Sequence, residues 1–356
     1  MKFAFCLFKY FPYGGLQRGF LDLAMECVSR GHEIDVYTGS WIGTLPKELQ
    51  VTIIPMRRLS NHSRYLAFAD RFHKMVANKN YDAIVGFNKM PGLDVYFASD
   101  VCFAALARER SFFYRLTPRC RTLRFLEQSV FDPQLKTHII SISDKEIDNY
   151  IAYYHTPRNR FHSVPPGIPQ KRIEQANIPG TRENLRAEMG IADTTNIVLM
   201  IGSDYKRKGV DRAVKAISYL PDTVRKQTLL LVIGEGKKKP YQRLARQLQV
   251  SSHVHFLGKR DDVPRFLAGA DILIHPAYHE TAGAVLVEAL GAGLPVLVTD
   301  VCGYALHVER AGAGRIVSSP FQQVVLNKML YEMIVSEEER SLWSKNGQIY
   351  VQHVDV

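Results

Sequence analysis

Apolar positions along the chain alternate between short β-rich runs and longer stretches with helical spacing. The first run, "KFAFCLF", is followed by Leu16–Arg30. There Leu16, Phe20, Leu23, Ala24, Cys27 and Val28 recur on one helical face, and Gly31 supplies a stop. "EIDVYT", "VTIIP", "DAIVGF", "DVYFA" and "THIISIS" predict further strands. Strands separated by helices require crossover connections, so the sheet they form is parallel. "HSVPPGIPQ" (His162–Gln170) breaks the rhythm with three prolines and a glycine, which predicts a stiff connector. A second series follows: "NIVLMIG", "LLLVIG", "HVHFLG", "DILIHP" and "PVLVTD". Each ends in Gly, Pro or Asp, where a parallel strand turns into its loop. The pattern therefore predicts an α/β protein of two doubly wound domains, residues 1–165 and 166–356. Ligands of such sheets bind beyond the strands' carboxyl ends, and with two sheets the natural site is a cleft that both face.

Composition narrows the class. Apolar residues make up 46% of the 356, which argues against disorder, and no internal repeat or low-complexity tract appears. Five cysteines, an odd number with no CxxC pair, fit reduced thiols in a cytoplasmic protein better than zinc or disulfides. The N-terminal apolar run is short and interrupted by Lys9, so a buried first strand explains it better than a signal peptide. No run approaches the roughly 20 apolar residues of a membrane span. A formal charge of +11 points to a polyanionic partner: nucleic acid, anionic lipid or a phosphorylated substrate. Charge alone argues for nucleic acid, since no helix-turn-helix, RRM or zinc-finger pattern is present.

Three stretches carry candidate chemistry. In "HETAGAVLVEALGAGLPVL" (His279–Leu297), Glu280 precedes a small-residue helix start and Glu288 lies about two turns on. Backbone N–H groups of Thr281, Ala282 and Gly283 at that start suit an anion, and a carboxylate at Glu288 can accept hydrogen bonds from a vicinal diol. The competing reading makes Glu280 a helix cap and Glu288 a solvent-facing acid. In "IGSDYKRKGVDRAVKAI", Lys206, Arg207 and Lys208 gather after a strand, where cations suit a phosphate; a solvated basic turn is the alternative. In "FKYFPYGGLQRGF", Gly14 and Gly15 between the first strand and helix allow close approach of a ligand to the backbone. No GxxxxGK[ST] loop and no acidic DxD pair occur, so protein cations rather than a metal would neutralise a diphosphate.

Taken together these residues resemble the retaining GT-B glycosyltransferases of family GT4. The E-x7-E pair is Glu280…Glu288, "KGVD" (Lys208–Asp211) is similar to the family's phosphate-lysine motif, and "LVIGEG" to its mid-domain strand. Longer stretches, "FCLFKYFPYGGLQR", "GFNKMPGLDVYFASD" and "HPAYHETAG", resemble the branch that glucosylates the lipopolysaccharide core. The resemblance implies two Rossmann-like domains, an acceptor-binding one followed by a nucleotide-sugar-binding one. It implies transfer of glucose from UDP-glucose to an inner-core heptose in α-1,3 linkage with retention, without a cofactor or obligate metal. On that basis Glu280 contacts the donor sugar, Glu288 the ribose, and Lys208 the diphosphate with amides of Thr281–Gly283. Gly14 and Gly15 face the diphosphate and acceptor, and Gly258 and Arg260 lie by the uracil. Many relatives carry an arginine where this chain has Ser203, so Arg207 supplies that cation. Asp100 stands nearest the place of a family histidine, and Gly19 where close relatives carry an acid. Gln17, Arg18 and Asp100 are therefore the acceptor-side candidates.

Arg108, Arg110, Arg115, Arg119, Arg121 and Arg124 are interleaved with aromatic and aliphatic residues in Leu106–Leu126. That mixture suits an interfacial helix on anionic lipid. With the lipid-linked, phosphorylated acceptor that the resemblance implies, a peripheral position on the cytoplasmic face of the inner membrane is expected. An ordinary helix with its aromatics in the core fits nearly as well. Alternatives to the glucosyltransferase are a GT4 enzyme with another donor, a nucleotide-sugar epimerase of the same fold, and a nucleic-acid-binding protein. A glycosidase fits less well, because its two acids must face across a scissile bond.

Overall fold

The computed structural model describes residues 1–12, 14–164 and 170–353. The chain divides into two compact units, Met1–Val164 and Pro165–Val356, against an expected division after residue 165.

The first unit is built on seven parallel strands: β1 (Lys2–Leu7), β2 (Glu33–Thr38), β3 (Gln50–Ile53), β4 (Ala83–Gly86), β5 (Val95–Ala98), β6 (His138–Ser141) and β7 (Phe161–Ser163). Their spatial order is β3-β2-β1-β4-β5-β6-β7, so the winding reverses between β1 and β4. Alternation along β1 explains why the strands read as unbroken apolar runs. Phe5 and Leu7 pack with Phe20 and Ala24 of the helix Gly15–Ser29, while Ala4 and Cys6 join the opposite core with Phe68, Tyr96 and Ile139. A sheet covered on both faces has no polar side to show.

The second unit has six parallel strands, β8 (Asn196–Ile201), β9 (Thr228–Ile233), β10 (Val254–Gly258), β11 (Ile272–His275), β12 (Val296–Thr299) and β13 (Gly314–Val317). The order is β10-β9-β8-β11-β12-β13. One face, with Leu199, Leu231, Leu273 and Val296, packs under the helix Ala284–Gly291. The other, with Val198, Leu230 and Ile274, packs under Val210–Tyr219 and Gln323–Val335.

Three differences from the sequence reading have local causes. β7 overlaps the start of the stretch read as connector, and β13 was not anticipated. Both are edge strands of three or four residues, too short to show a period. The stretch Leu106–Leu126 is not one interfacial helix. It lies in Phe103–Arg108, Phe112–Arg115 and Pro118–Phe131, restarted by Ser111 and Thr117, whose hydroxyls accept from the amides of Tyr114 and Cys120. Pro118 at the first turn of the last helix lacks the N–H that an uninterrupted helix would need there.

Candidate functional site

Parallel strands align their carboxyl ends, so the loops after β8, β9, β10 and β11 leave the second sheet along one edge. Two of these loops are stitched together. The amide of Tyr278 donates to the Arg207 carbonyl at 2.8 Å, and the Tyr278 hydroxyl donates to Asp211 at 2.9 Å. Arg212, largely buried, donates to the carbonyls of Pro276 and Ala277, with its guanidinium between the Tyr278 and Phe321 rings at 3.7 and 3.6 Å. Gly209, with φ +77°, lies where a Cβ would come within 2.1 Å of the Pro276 carbonyl oxygen; only glycine fits there.

This stitching brings the basic turn to Glu280. Asp204 starts a one-turn helix, Tyr205–Lys208, and Lys208 reaches back across Gly202, where a Cβ would lie 2.8 Å from Lys208 Cε. Lys208 Nζ sits 2.6 Å from Glu280 Oε2, and the Arg207 guanidinium binds the same oxygen. Burial pushes the Glu280 carboxyl upward, but Lys208 and Arg207 together outweigh it and hold it below the usual carboxylate range. Glu280 is not a helix cap. Its backbone bridges to Cys302, and the helix Ala284–Gly291 begins after Gly283, with φ +97° and no side-chain cap. The amides of Thr281, Ala282 and Gly283 donate to no described residue. Two cations and a helix N-terminus with free amides form an arrangement that binds an anion.

Glu288 does not face solvent. It is 3% exposed on the helix Ala284–Gly291, and its Oε1 accepts from Arg172 Nη1 at 2.8 Å. Arg172, on the short helix Gln170–Ala176, was missed in the sequence because nothing local ties it to a residue 116 positions away. Also missed was His275, the last residue of β11. It is fully buried, and neither ring nitrogen has a partner among the described residues. Burial first, and the charge of Lys208 next, push its imidazole down to about 3, so it is neutral.

Gly258 ends the edge strand β10 and accepts the Gly234 amide at 2.7 Å. Arg260 grips Asp262 through Nε and Nη2 at 2.8 and 2.6 Å, holding that carboxyl below its ordinary value. In the first unit, Gly14 caps the helix Gly15–Ser29, and a Cβ on it would strike Gln17. Gln17 is buried, and its amide donates to the Lys9 carbonyl at 3.0 Å, bracing the loop after β1. Arg18 is exposed on that helix. Asp100 is exposed beyond β5, where its carbonyl accepts from the Tyr150 hydroxyl. Among the described residues no group of three or more His, Cys, Asp or Glu is arranged to hold a metal.

Arg108, Arg110, Arg115, Arg119, Arg121 and Arg124 are all exposed, and none pairs with a carboxylate among the described residues. Phe112, Phe113, Leu116 and Phe125 stand exposed among them, at 62, 81, 48 and 53%. No helix among the described residues is long and apolar enough to cross a membrane.

Residues 181–349 match the family model "Glycosyl transferases group 1", and residues 13–172 match "Glycosyltransferase Family 4". The lipopolysaccharide glucosyltransferase WaaG of Escherichia coli K12 is 43% identical over 100% of this chain and 96% of its own. A crystal structure of WaaG superposes with a TM-score of 0.95 over 99% of this chain and 96% of that one, also at 43% identity. Anabaena Alr3699/HepE, solved with UDP and glucose, shares the fold at a TM-score of 0.76 and 18% identity, covering 100% of this chain and 96% of the other. With two parallel-sheet units, an E-x7-E pair and a basic turn at the strand ends, this chain belongs to glycosyltransferase family 4 and has the GT-B fold.

Proposed function

We propose that the protein transfers glucose from UDP-glucose to an inner-core heptose of lipopolysaccharide, forming an α-1,3 linkage with retention. The observation that carries this reading is the meeting of Lys208, Arg207 and Glu280 beside the free amides of Thr281–Gly283. Lys208, Arg207 and the amides bind the diphosphate, Glu280 the glucose hydroxyls, and Glu288 the ribose diol, with Gly258 and Arg260 by the uracil. Gly14 and Gly15, with Gln17, Arg18 and Asp100, serve the acceptor side. The 43% identity to a lipopolysaccharide glucosyltransferase over the full chain supports the substrate class.

In the transfer, the acceptor oxygen bonds to the sugar's anomeric carbon on the face from which the bond to the diphosphate breaks. The departing phosphate oxygen takes the acceptor's proton. Negative charge grows on UDP as the sugar becomes oxocarbenium-like, and preorganised cations and amides stabilise that charge. No divalent ion is required, because Lys208 and Arg207 supply the positive charge. The exposed arginines and aromatics of residues 108–125 hold the protein on the anionic cytoplasmic face of the inner membrane.

Calorimetry with UDP-glucose, UDP-galactose and UDP-N-acetylglucosamine, combined with product analysis on a heptose acceptor, tests the reading. The expected result is preferential binding of UDP-glucose and a glucosylated heptose whose formation survives EDTA. Preference for another donor, or turnover abolished by EDTA, overturns it.

A further inference from the structure

The unassigned feature beside this site is His275. It ends the central strand β11, two residues beyond Leu273. Residues two apart share a sheet face, so it lies on the side covered by the helix Ala284–Gly291. It has no exposure and no polar partner among the described residues, whereas a buried imidazole ordinarily has one. β11 pairs with β8, and Gly209, the residue after Lys208, packs against the carbonyl of Pro276, the residue after His275, so the chain brings Lys208 alongside it. The charges of Lys208, Glu280 and Arg207 all act on the ring. Lys208 has three N–H donors, yet Glu280 is its one polar partner among the described residues.

We propose that His275 is a positioning residue for Lys208: in the nucleotide-bound state one ring nitrogen accepts a Lys208 N–H, leaving another N–H aimed at the diphosphate. This rests on the reading of the site as a diphosphate site. A neutral ring is needed, because an imidazolium would have no lone pair and would repel both Lys208 and Arg207. Glu280 is then relieved of part of its bond to Lys208 and can turn to the sugar hydroxyls.

The test compares wild type, His275→Leu and His275→Gln by calorimetry with UDP and with UDP-glucose, alongside thermal melting. A lost buried hydrogen bond corresponds to roughly a tenfold loss of affinity. His275→Leu is expected to weaken both ligands by about that factor, without lowering the melting temperature, because it removes an unpartnered buried polar group. His275→Gln, which retains an acceptor, recovers most of the affinity. Combined with Lys208→Ala, His275→Leu should bring no further loss, as expected of two residues acting through one contact. Should His275→Leu fail to fold, ring ¹⁵N NMR of the wild type decides: saturating UDP must move one His275 nitrogen away from its free lone-pair shift. Undiminished binding by His275→Leu, or ring signals unmoved by saturating UDP, overturns the inference alone. A wild type that binds neither nucleotide overturns the diphosphate reading and this inference with it.

Discussion

Each unit contains a buried lysine–glutamate pair at the same distance, and the two behave as different devices. In the first unit Lys89 Nζ lies 2.6 Å from Glu127 Oε1; in the second, Lys208 Nζ lies 2.6 Å from Glu280 Oε2. The lysines are 11 and 10% exposed, so burial does not separate them. The remaining partners do. Glu127 also accepts from the amides of Phe103 and Ala104 and from the Tyr154 hydroxyl, and Lys89 donates to the Val101 carbonyl. Burial acts to lower the Lys89 ammonium, but Glu127 and Asp100 outweigh it and raise it. Four donors hold the Glu127 carboxylate, so the pair fastens the start of the helix Phe103–Arg108 to the helices Pro118–Phe131 and Asp144–Tyr154. Around Lys208 and Glu280 the amides of Thr281–Gly283 and the ring of His275 are unengaged among the described residues. A buried ion pair whose carboxylate is held by backbone amides is structure, and one held by side chains beside uncommitted amides is a site, because only the second can exchange partners when a ligand arrives.

Removing one partner from each pair should expose this difference. Glu127→Ala leaves Lys89 buried and unpaired, which is expected to cost about 3–5 kcal/mol of stability in denaturant unfolding. A loss near zero would show that the first pair is no fastener. Lys208→Ala should instead lower the transfer rate by about 10²–10³ while the fold survives, as for the loss of one preorganised donor. Near-wild-type turnover in single-turnover assays would remove Lys208 from the mechanism. The smallest effect belongs to cations that have no carboxylate partner among the described residues. Replacing Arg119 or Arg121 by serine should weaken binding to anionic vesicles by roughly fivefold per charge and leave binding to neutral vesicles unchanged. Equal flotation of the wild type with both kinds of vesicle would refute electrostatic docking.

Much of the frame was legible along the chain because parallel strands buried on both faces are continuous apolar runs. β2 reads as "EIDVYT" and appears as Glu33–Thr38. β7 and β13 escaped because an edge strand of three or four residues carries no periodic signal. At the site, Glu280, Glu288 and Lys208 stood out as charges set against apolar or small-residue surroundings. Arg172 did not, because its meaning lies in a partner brought close only by folding. His275 was hidden differently: in "DILIHP" it reads as one more strand residue before the terminating Pro276, and only its complete burial distinguishes it. Lys89 and Glu127 drew no attention in the sequence, since saturation by backbone amides is a property of tertiary structure.

The backbone-to-backbone approach of Gly209 and Pro276 sets a limit on how this enzyme can be re-engineered. A Cβ at position 209 would lie 2.1 Å from a carbonyl oxygen, so a library randomised there should return glycine alone among active clones. The two loops travel as one body, and altered sugar preference has to come from exchanging the side chains they display rather than from changing the loops' spacing.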